Sequence, residues 1–300
     1  MEFPPLRIKP FISMFIPNSI LDEVSEPRQK AIKIGTIGRA AAIYRVEEII
    51  IYPDTKKPGW KRKSKYIEVM LKYLDTPQYL RKRVFKLSKE LKYVGILPPL
   101  ATPHHSLKRK NTELSDGEIR EGYVIKVSKG KALVDIGTNQ PIFIDLKNKK
   151  ILKGDRITIK IIKKDNEILG RPISKEEIDI YWGFEVKVLK SLLGRFLKKH
   201  DYDLVIATSR YGKLITDIYK DLIREFTRVE SVALLFGSPR EGLYEILRKE
   251  SIELSDVADY IINMIPFQGV RTVRTEEAIH ASLSLINFLQ FLASSMQEIY

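Results

Sequence analysis

The chain opens on short apolar runs that alternate with longer segments of helical periodicity. Pro10-Phe11-Ile12-Ser13-Met14-Phe15-Ile16 is a nearly unbroken apolar run closed by Pro17, the pattern of a strand buried on both faces. Ser25-Glu26-Pro27 supplies a cap, an early carboxylate and a proline where a helix tolerates one. A helix to about Tyr44 follows from it. Residues 46–52 form a second expected strand, closed by Pro53-Asp54. Residues 56–63 then read as a basic loop around Gly59-Trp60, followed by two short helices, one over 66–74 and one from near Pro77.

Between about residues 121 and 163 the period changes to that of strands, at 122–127, 131–136, 141–146 and 156–162. The turns are Ser128-Lys129-Gly130 and Gly137-Thr138-Asn139, with Lys153-Gly154-Asp155 before the last strand. Four or five strands in so short a stretch predict a small barrel, of the oligonucleotide-binding (OB) or the SH3-like kind. After residue 176 strands are expected at 184–188, 204–208, 232–236 and 260–265, and helices near 190–199, 215–226, 242–247 and 276–298. In the last helix Ala278, Ala281, Leu285, Phe288, Leu289 and Leu292 recur close to helical spacing and predict a buried face. The simplest architecture is an α/β domain with a mostly parallel sheet, built from residues 1–95 and 176–300 and interrupted by an OB-like barrel over 96–175.

Charge changes this picture by its position. The formal net charge is +14, and residues 54–110 alone hold 16 Lys/Arg against 4 Asp/Glu. Clustered cations neutralise phosphates and release counterions, which points to a polyanion such as RNA; a solvated lysine-rich surface is the plainer alternative. The candidate contacts are Trp60, Lys61, Arg62, Lys63, Arg81, Lys82, Arg83, Lys108, Arg109 and Lys110, with Trp60 as the stacking face and Tyr66 and Tyr73 assigned to the core. No cysteine is present, so disulfides, thiolate metal sites and cysteine nucleophiles are excluded. The four histidines have no metal-ligand spacing, and no metal is expected. No apolar run reaches the ~18–20 residues of a membrane span, and residues 1–5 lack the features of a secretory signal. A cytoplasmic location and no membrane partner are the expectations.

The usual nucleotide motifs fail. Gly130-Lys131 and Gly212-Lys213 have Ile125 and Ala207 where a P-loop needs glycine, and Gly35-Thr36-Ile37-Gly38 falls inside the first helix. The informative segment is Leu234-Leu235-Phe236-Gly237-Ser238-Pro239-Arg240-Glu241-Gly242-Leu243, an apolar strand running through a Gly/Pro loop into a helix. Such loops at the carboxyl ends of parallel strands are where ligands bind, although an ordinary strand-to-helix turn has the same appearance. A second strand, Ile261-Ile262-Asn263-Met264-Ile265, ends at Pro266 and continues through Phe267-Gln268-Gly269-Val270-Arg271-Thr272-Val273-Arg274-Thr275 into the last helix.

Together these loops resemble the cofactor motifs of the SPOUT (trefoil-knot) superfamily. Gly38-Arg39-Ala40-Ala41-Ala42 looks like its arginine-bearing helix motif, and Leu97-Pro98-Pro99-Leu100-Ala101-Thr102-Pro103-His104-His105 resembles a signature of the archaeal and eukaryotic RNA methyltransferase branch. The resemblance spans essentially the whole chain. It implies a C-terminal trefoil knot, a homodimer and S-adenosylmethionine as cofactor. It also implies cofactor contacts from Phe236, Gly237, Ile265, Gln268, Gly269, Thr272 and Thr275, with Arg39 and Glu241 in the chemistry. Pro239 stands where better-known members carry a glutamate. The expected function is methylation of a structured RNA such as ribosomal RNA. The alternative is a non-catalytic RNA-binding or ribosome-assembly factor on the same scaffold.

Overall fold

A computed structural model describes residues 3–146, 150–164 and 167–297. In chain order the elements are β1 (Phe11–Pro17), α1 (Pro27–Ile43), β2 (Glu48–Tyr52), α2 (Trp60–Asp75), α3 (Gln78–Val84), β3 (Ile119–Ser128), β4 (Lys131–Asp135), β5 (Ile142–Asp145), β6 (Arg156–Lys164) and β7 (Glu167–Pro172). They continue with β8 (Glu185–Val188), α4 (Leu193–Leu197), β9 (Leu204–Leu214), α5 (Ile215–Phe226), β10 (Ser231–Leu235), α6 (Leu243–Arg248), β11 (Tyr260–Asn263) and α7 (Thr275–Gln297). The expected end of the last helix at Glu298 lies outside the described residues.

The chain divides into two compact units. One holds Arg7–Leu74, Glu90–Pro99 and Phe184–Tyr300, the other Met1–Leu6, Asp75–Lys89 and Leu100–Gly183. This differs from a break at residues 95 and 176. Segment 75–89 goes with the barrel because Tyr79 Oη donates to the Glu121 carbonyl (3.0 Å) and Arg83 pairs with Asp135 (3.2 Å). Segment 90–99 goes with the α/β unit because α1 rests on it: a Cβ on Gly35 would come within 2.9 Å of Pro98.

In the α/β unit six strands form one sheet in the order β11-β9-β10-β1-β2-β8, and every pairing is parallel. That pattern requires apolar side chains on both strand faces. Phe15, Ile50, Val205, Ala207, Ala233 and Leu235 share a core with Leu193 and Leu197 of α4 and Leu243, Ile246 and Leu247 of α6. The alternate residues Met14, Ile16, Ile49, Ile51, Ile206, Val232 and Leu234 are buried too, facing the other way. α7 packs on both α1 and α5. At the start of α1, Glu26 caps the Gln29 amide (2.9 Å) with Pro27 in the first turn.

Three expectations change here. Trp60, Lys61, Arg62 and Lys63 are the first turn of α2 rather than a loop, because Gly59 turns the chain with φ +89° and the Lys63 amide bonds the Gly59 carbonyl (3.1 Å). The buried stripe of α7 is Ile279, Ser282, Leu283, Ile286, Leu289, Gln290 and Ala293; of the expected face only Leu289 belongs to it, and Phe288 is exposed. α7 is also long and apolar enough to cross a membrane by length and composition, which short apolar runs alone did not reveal. Its buried stripe packs on α1 and α5.

In the second unit five strands close into a barrel in the order β3-β4-β5-β7-β6. β5 and β7 pair in parallel, all other neighbours antiparallel. Val124, Val134, Ile136, Ile142, Ile144, Ile159 and Ile161 fill it. β7 is the strand that the sequence pattern left unplaced. Beneath the barrel runs a polar cluster: Arg156 bridges Asp75 (2.9 Å) and Glu121 (2.6 Å), and Glu121 accepts from Thr158 (2.6 Å) and Trp182 (2.7 Å). His104 and His105 both bond the Asp75 carbonyl, at 2.6 and 3.1 Å. The Pro-His-His part of the signature segment therefore has a structural task.

Candidate active site

β11, β9 and β10 lie side by side, and the carboxyl ends of β10 and β11, with the middle of β9 between them, open into a cleft of about 390 Å³ within the α/β unit. Ligands of parallel sheets bind at such strand ends because the loops there are free of the ladder and following helices present unpaired amides.

The first wall is the loop after β10. The Phe236 amide donates to the Phe15 carbonyl (3.1 Å), and Tyr52 Oη donates to the Phe236 carbonyl at 2.6 Å, so the strand is locked where the turn begins. Burial, with smaller contributions from the Asp54 and Glu250 charges, pushes the Tyr52 phenol well above its ordinary pKa, so it remains a donor. The Ser238 amide then bonds the Glu241 carbonyl (2.8 Å) and the Glu241 amide bonds Ser238 Oγ (2.9 Å), folding the loop tightly on itself. A Cβ on Gly237 would sit 3.1 Å from the Glu241 carbonyl oxygen. Behind this wall, the buried Asp54 accepts from Ser19 Oγ at 2.5 Å. Burial raises the Asp54 carboxyl above its usual range, and the Glu241 charge adds to the effect.

The second wall is the loop after β11 together with the start of α7. Asn263 Oδ1 accepts from the Ile265 amide (3.0 Å), and Gln268 Nε2 donates to the Val270 carbonyl (2.8 Å). Thr275 is buried, and Ser282 one helix stretch further on has a buried Oγ without a hydrogen-bond partner among the described residues. Buried hydroxyls are ordinarily paired, so an orphan lining a cleft marks a place for a ligand's polar group. The third wall, Thr208, Ser209, Arg210 and Tyr211, comes from β9.

Of the residues assigned to cofactor binding, Phe236, Gly237, Ile265, Gln268, Thr272 and Thr275 line this cleft together with Glu241. Gly269 does not: it is exposed, and a Cβ there would meet nothing within 4 Å. Two residues earlier Phe267 takes a left-handed conformation, φ +52°. Glu241 forms an ion pair with Lys249. Arg39 stands outside the cleft, on α1, where Nη1 donates to the Pro99 carbonyl (2.9 Å).

The basic candidates divide between the units. Lys61 lies over the half-buried Trp60 ring (5.8 Å), Arg62 is exposed and Lys63 pairs with Asp22 (2.6 Å). In the barrel unit Arg81 Nε donates to the Thr76 carbonyl (2.9 Å), Arg83 is paired with Asp135, and Lys108 pairs with Glu118 (2.6 Å). Lys82, Arg109 and Lys110 are exposed. Tyr66 and Tyr73, assigned to the core, are half-buried.

The sequence pattern missed the third wall. Residues 209–212 follow an expected strand end, and the strand-end rule applied there would have singled them out. Tyr52 and Ser282 carry no comparable signal, since their roles depend on packing.

A parallel six-stranded sheet with a ligand-sized cleft across three adjacent strands, carried in one chain with a closed five-stranded barrel, defines the class: an α/β enzyme with an added barrel unit. Residues 11–286 match the family described as putative RNA methyltransferase. The chain belongs to that family of SPOUT-type RNA methyltransferases. An uncharacterised protein of Haloarcula marismortui is 32% identical over 93% of this chain and 99% of its own length. The 28S rRNA (uridine-N(3))-methyltransferase of Drosophila melanogaster is 31% identical over 92% of this chain and 61% of the fly protein. The mouse protein of the same name is 31% identical over 92% of this chain and 75% of its own length.

Proposed function

We propose that this chain transfers a methyl group from S-adenosylmethionine to N3 of a uridine in ribosomal RNA. The cleft across β9, β10 and β11 carries the reading, since its volume of about 390 Å³ falls in the range of small-molecule sites. The activity named for the fly and mouse relatives supports the choice of nucleotide. The cleft fits the cofactor. Gly237 leaves room at a turn that a side chain would fill, Ile265 and Val273 line the cleft with half-buried apolar side chains, and Ser282 offers an unpaired hydroxyl. Phe236, Gly237, Ile265, Gln268, Thr272 and Thr275 would hold it. When bound, S-adenosylmethionine supplies an electrophilic methyl on a sulfonium. The protein's part is alignment, exclusion of water and a destination for the N3 proton.

Glu241 takes that proton in this reading, and Arg39 stabilises the anion that forms. Arg39 does not line its own chain's cleft, so the reading includes a homodimer in which each copy lends the arginine. The exposed Phe288, Phe291 and Met296 of α7, with Ile32 and Ile43 of α1, supply an apolar surface for that contact. It also includes a trefoil knot formed by residues 264–274 ahead of α7.

RNA is gripped by the barrel and the basic segments. The barrel's strand order and its single parallel pairing support the OB-like kind. On its outer surface Leu133, Phe143, Leu169 and Ile162 are successive cross-strand neighbours, a row that offers an aromatic face to a base.

The test is calorimetric titration of the stripped protein with S-adenosylmethionine, followed by transfer of labelled methyl to ribosomal RNA. Saturable binding and N3-methyluridine in the digest are expected. A folded protein that binds no cofactor with or without RNA would overturn the reading.

A further inference from the structure

The third wall of the cleft is built in an unusual way. β9 and β11 pair as Ile206↔Tyr260 and Ala207↔Ile261, then resume as Lys213↔Ile262 and Leu214↔Asn263. Between two consecutive residues of β11, the five residues 208–212 of β9 are looped out of the ladder. The base of this excursion is pinched: a Cβ on Gly212 would stand 2.5 Å from the Ile261 carbonyl oxygen and 2.6 Å from the Ile262 amide nitrogen. Bulges of this sort re-aim side chains, and they recur beside active sites.

The excursion is tied along its length. Thr208 Oγ1 donates to the Leu235 carbonyl of β10 (2.8 Å), and the Tyr211 amide bonds Ser209 Oγ (3.2 Å). Asn263 Nδ2 donates to the Arg210 carbonyl (3.2 Å) while its Oδ1 holds the Ile265 amide. One asparagine therefore fixes both the excursion and the loop opposite.

On this anchored backbone the two largest side chains turn outward. Tyr211 is 68% exposed, Arg210 is exposed, and both line the cleft. The guanidinium lies over the ring at 4.7 Å, and Arg210 Nη2 donates to Tyr211 Oη (2.6 Å). A tyrosine this exposed adds little to the core, so burial does not account for its place. Arg210 engages the ring and its Oη, and most of the side chain still faces solvent. Half-buried groups, Thr208, Ser209, Gly237, Asn263 and Ile265, supply the depth of the cleft. The ring meets instead what arrives from solvent. An aromatic face beside a guanidinium matches a nucleobase and its phosphate.

We propose that Tyr211 and Arg210 recognise the nucleotide to be methylated. Tyr211 stacks on the base, and Arg210 pairs with the adjoining phosphate. The assignment rests on the methyltransferase reading of this cleft. Tyr211→Ala, Tyr211→Trp and Arg210→Ala are compared with the wild type for binding of S-adenosylmethionine, binding of a short oligouridylate, and KM and kcat on ribosomal RNA. Tyr211→Ala is expected to weaken oligouridylate binding and raise KM about tenfold, the scale of one lost base stack. Cofactor affinity and melting temperature stay as in the wild type, and Tyr211→Trp restores binding. Arg210→Ala should lower the magnitude of the log–log salt slope of oligouridylate binding by about one.

Weakened cofactor binding with unchanged oligouridylate binding would assign the pair to the cofactor and overturn the proposal. Unchanged values for both ligands would overturn it as well. Wild-type protein that binds no S-adenosylmethionine defeats the enzyme reading instead, and the oligouridylate comparison then still decides the role of the pair.

Discussion

Tyr52 and Gly237 act on the same turn from opposite sides. The phenol holds the Phe236 carbonyl, and the glycine lets the loop close on its own Glu241 carbonyl. Tyr52→Phe removes a buried donor and leaves that carbonyl short of a partner, at a cost of about 1–3 kcal/mol. A lower urea midpoint with an unchanged slope is the expected result; an unchanged midpoint would mean that water replaces the phenol. The two glycines of the cleft loops make a paired test. Gly237→Val should reduce S-adenosylmethionine affinity at least about tenfold by crowding the turn. Gly269→Val should bind as the wild type does, because its side chain meets open space. Equal losses in the two variants would return Gly269 to the site.

At the scale of elements, the contacts around Asp75 depend on an ionised carboxylate and an uncharged His105 ring, both of which acid protonates. Burial pushes the His105 ring down to about 3, and the neighbouring His104 charge adds to this. Burial alone would raise the Asp75 carboxyl, but Arg156 and His104 outweigh it and hold it below its ordinary range. Both groups bind fewer protons folded than unfolded, so both signs agree. The contribution of His105 is complete above about 6.5 and lost as the pH falls toward 3, and that of Asp75 is lost below the ordinary aspartate range. Urea midpoints of the full chain should therefore drop between about pH 7 and pH 5, and His105→Gln should flatten that decline. An equally steep decline in the variant would exonerate this ring. The same scale shows what could be read in the sequence. Apolar runs such as 11–16 and 232–235 are too short for core helices and are closed by Pro or Gly, so the sheet was legible, and so were the two loops leaving it. The start of α2 at Trp60 was hidden by its basic, proline-flanked composition. The buried stripe of α7 was hidden because apolar residues lie on more than one side of that helix, and only neighbouring helices choose among them. The β9 excursion depends on pairing with a strand about fifty residues away, which no local pattern carries.

At the scale of the molecule, two surfaces call for partners. Phe288 and Phe291 are 57% and 49% exposed on α7. Changing both to Glu should convert a dimer into a soluble monomer by light scattering, and on the shared-arginine reading abolish methyl transfer while cofactor binding survives. A wild type that is itself monomeric refutes the dimer. Lys61, Arg62 and Lys63 changed together to Ala should reduce the log–log salt slope of ribosomal RNA binding by up to about three, roughly one for each phosphate left without its cation. An unchanged slope would remove the α2 start from the interface. The sheet has a further consequence, for the order in which the chain can fold. β1 leaves the ribosome before the other strands of its sheet, yet one of its two neighbours is β10, about 220 residues later. The barrel strands are contiguous and complete long before that. During synthesis β1, one of the two central strands of the α/β sheet, must therefore wait, apolar on both faces, while the inserted unit is already closed. Chains halted after residue 183 should yield a protease-resistant barrel and a degradable N-terminal segment.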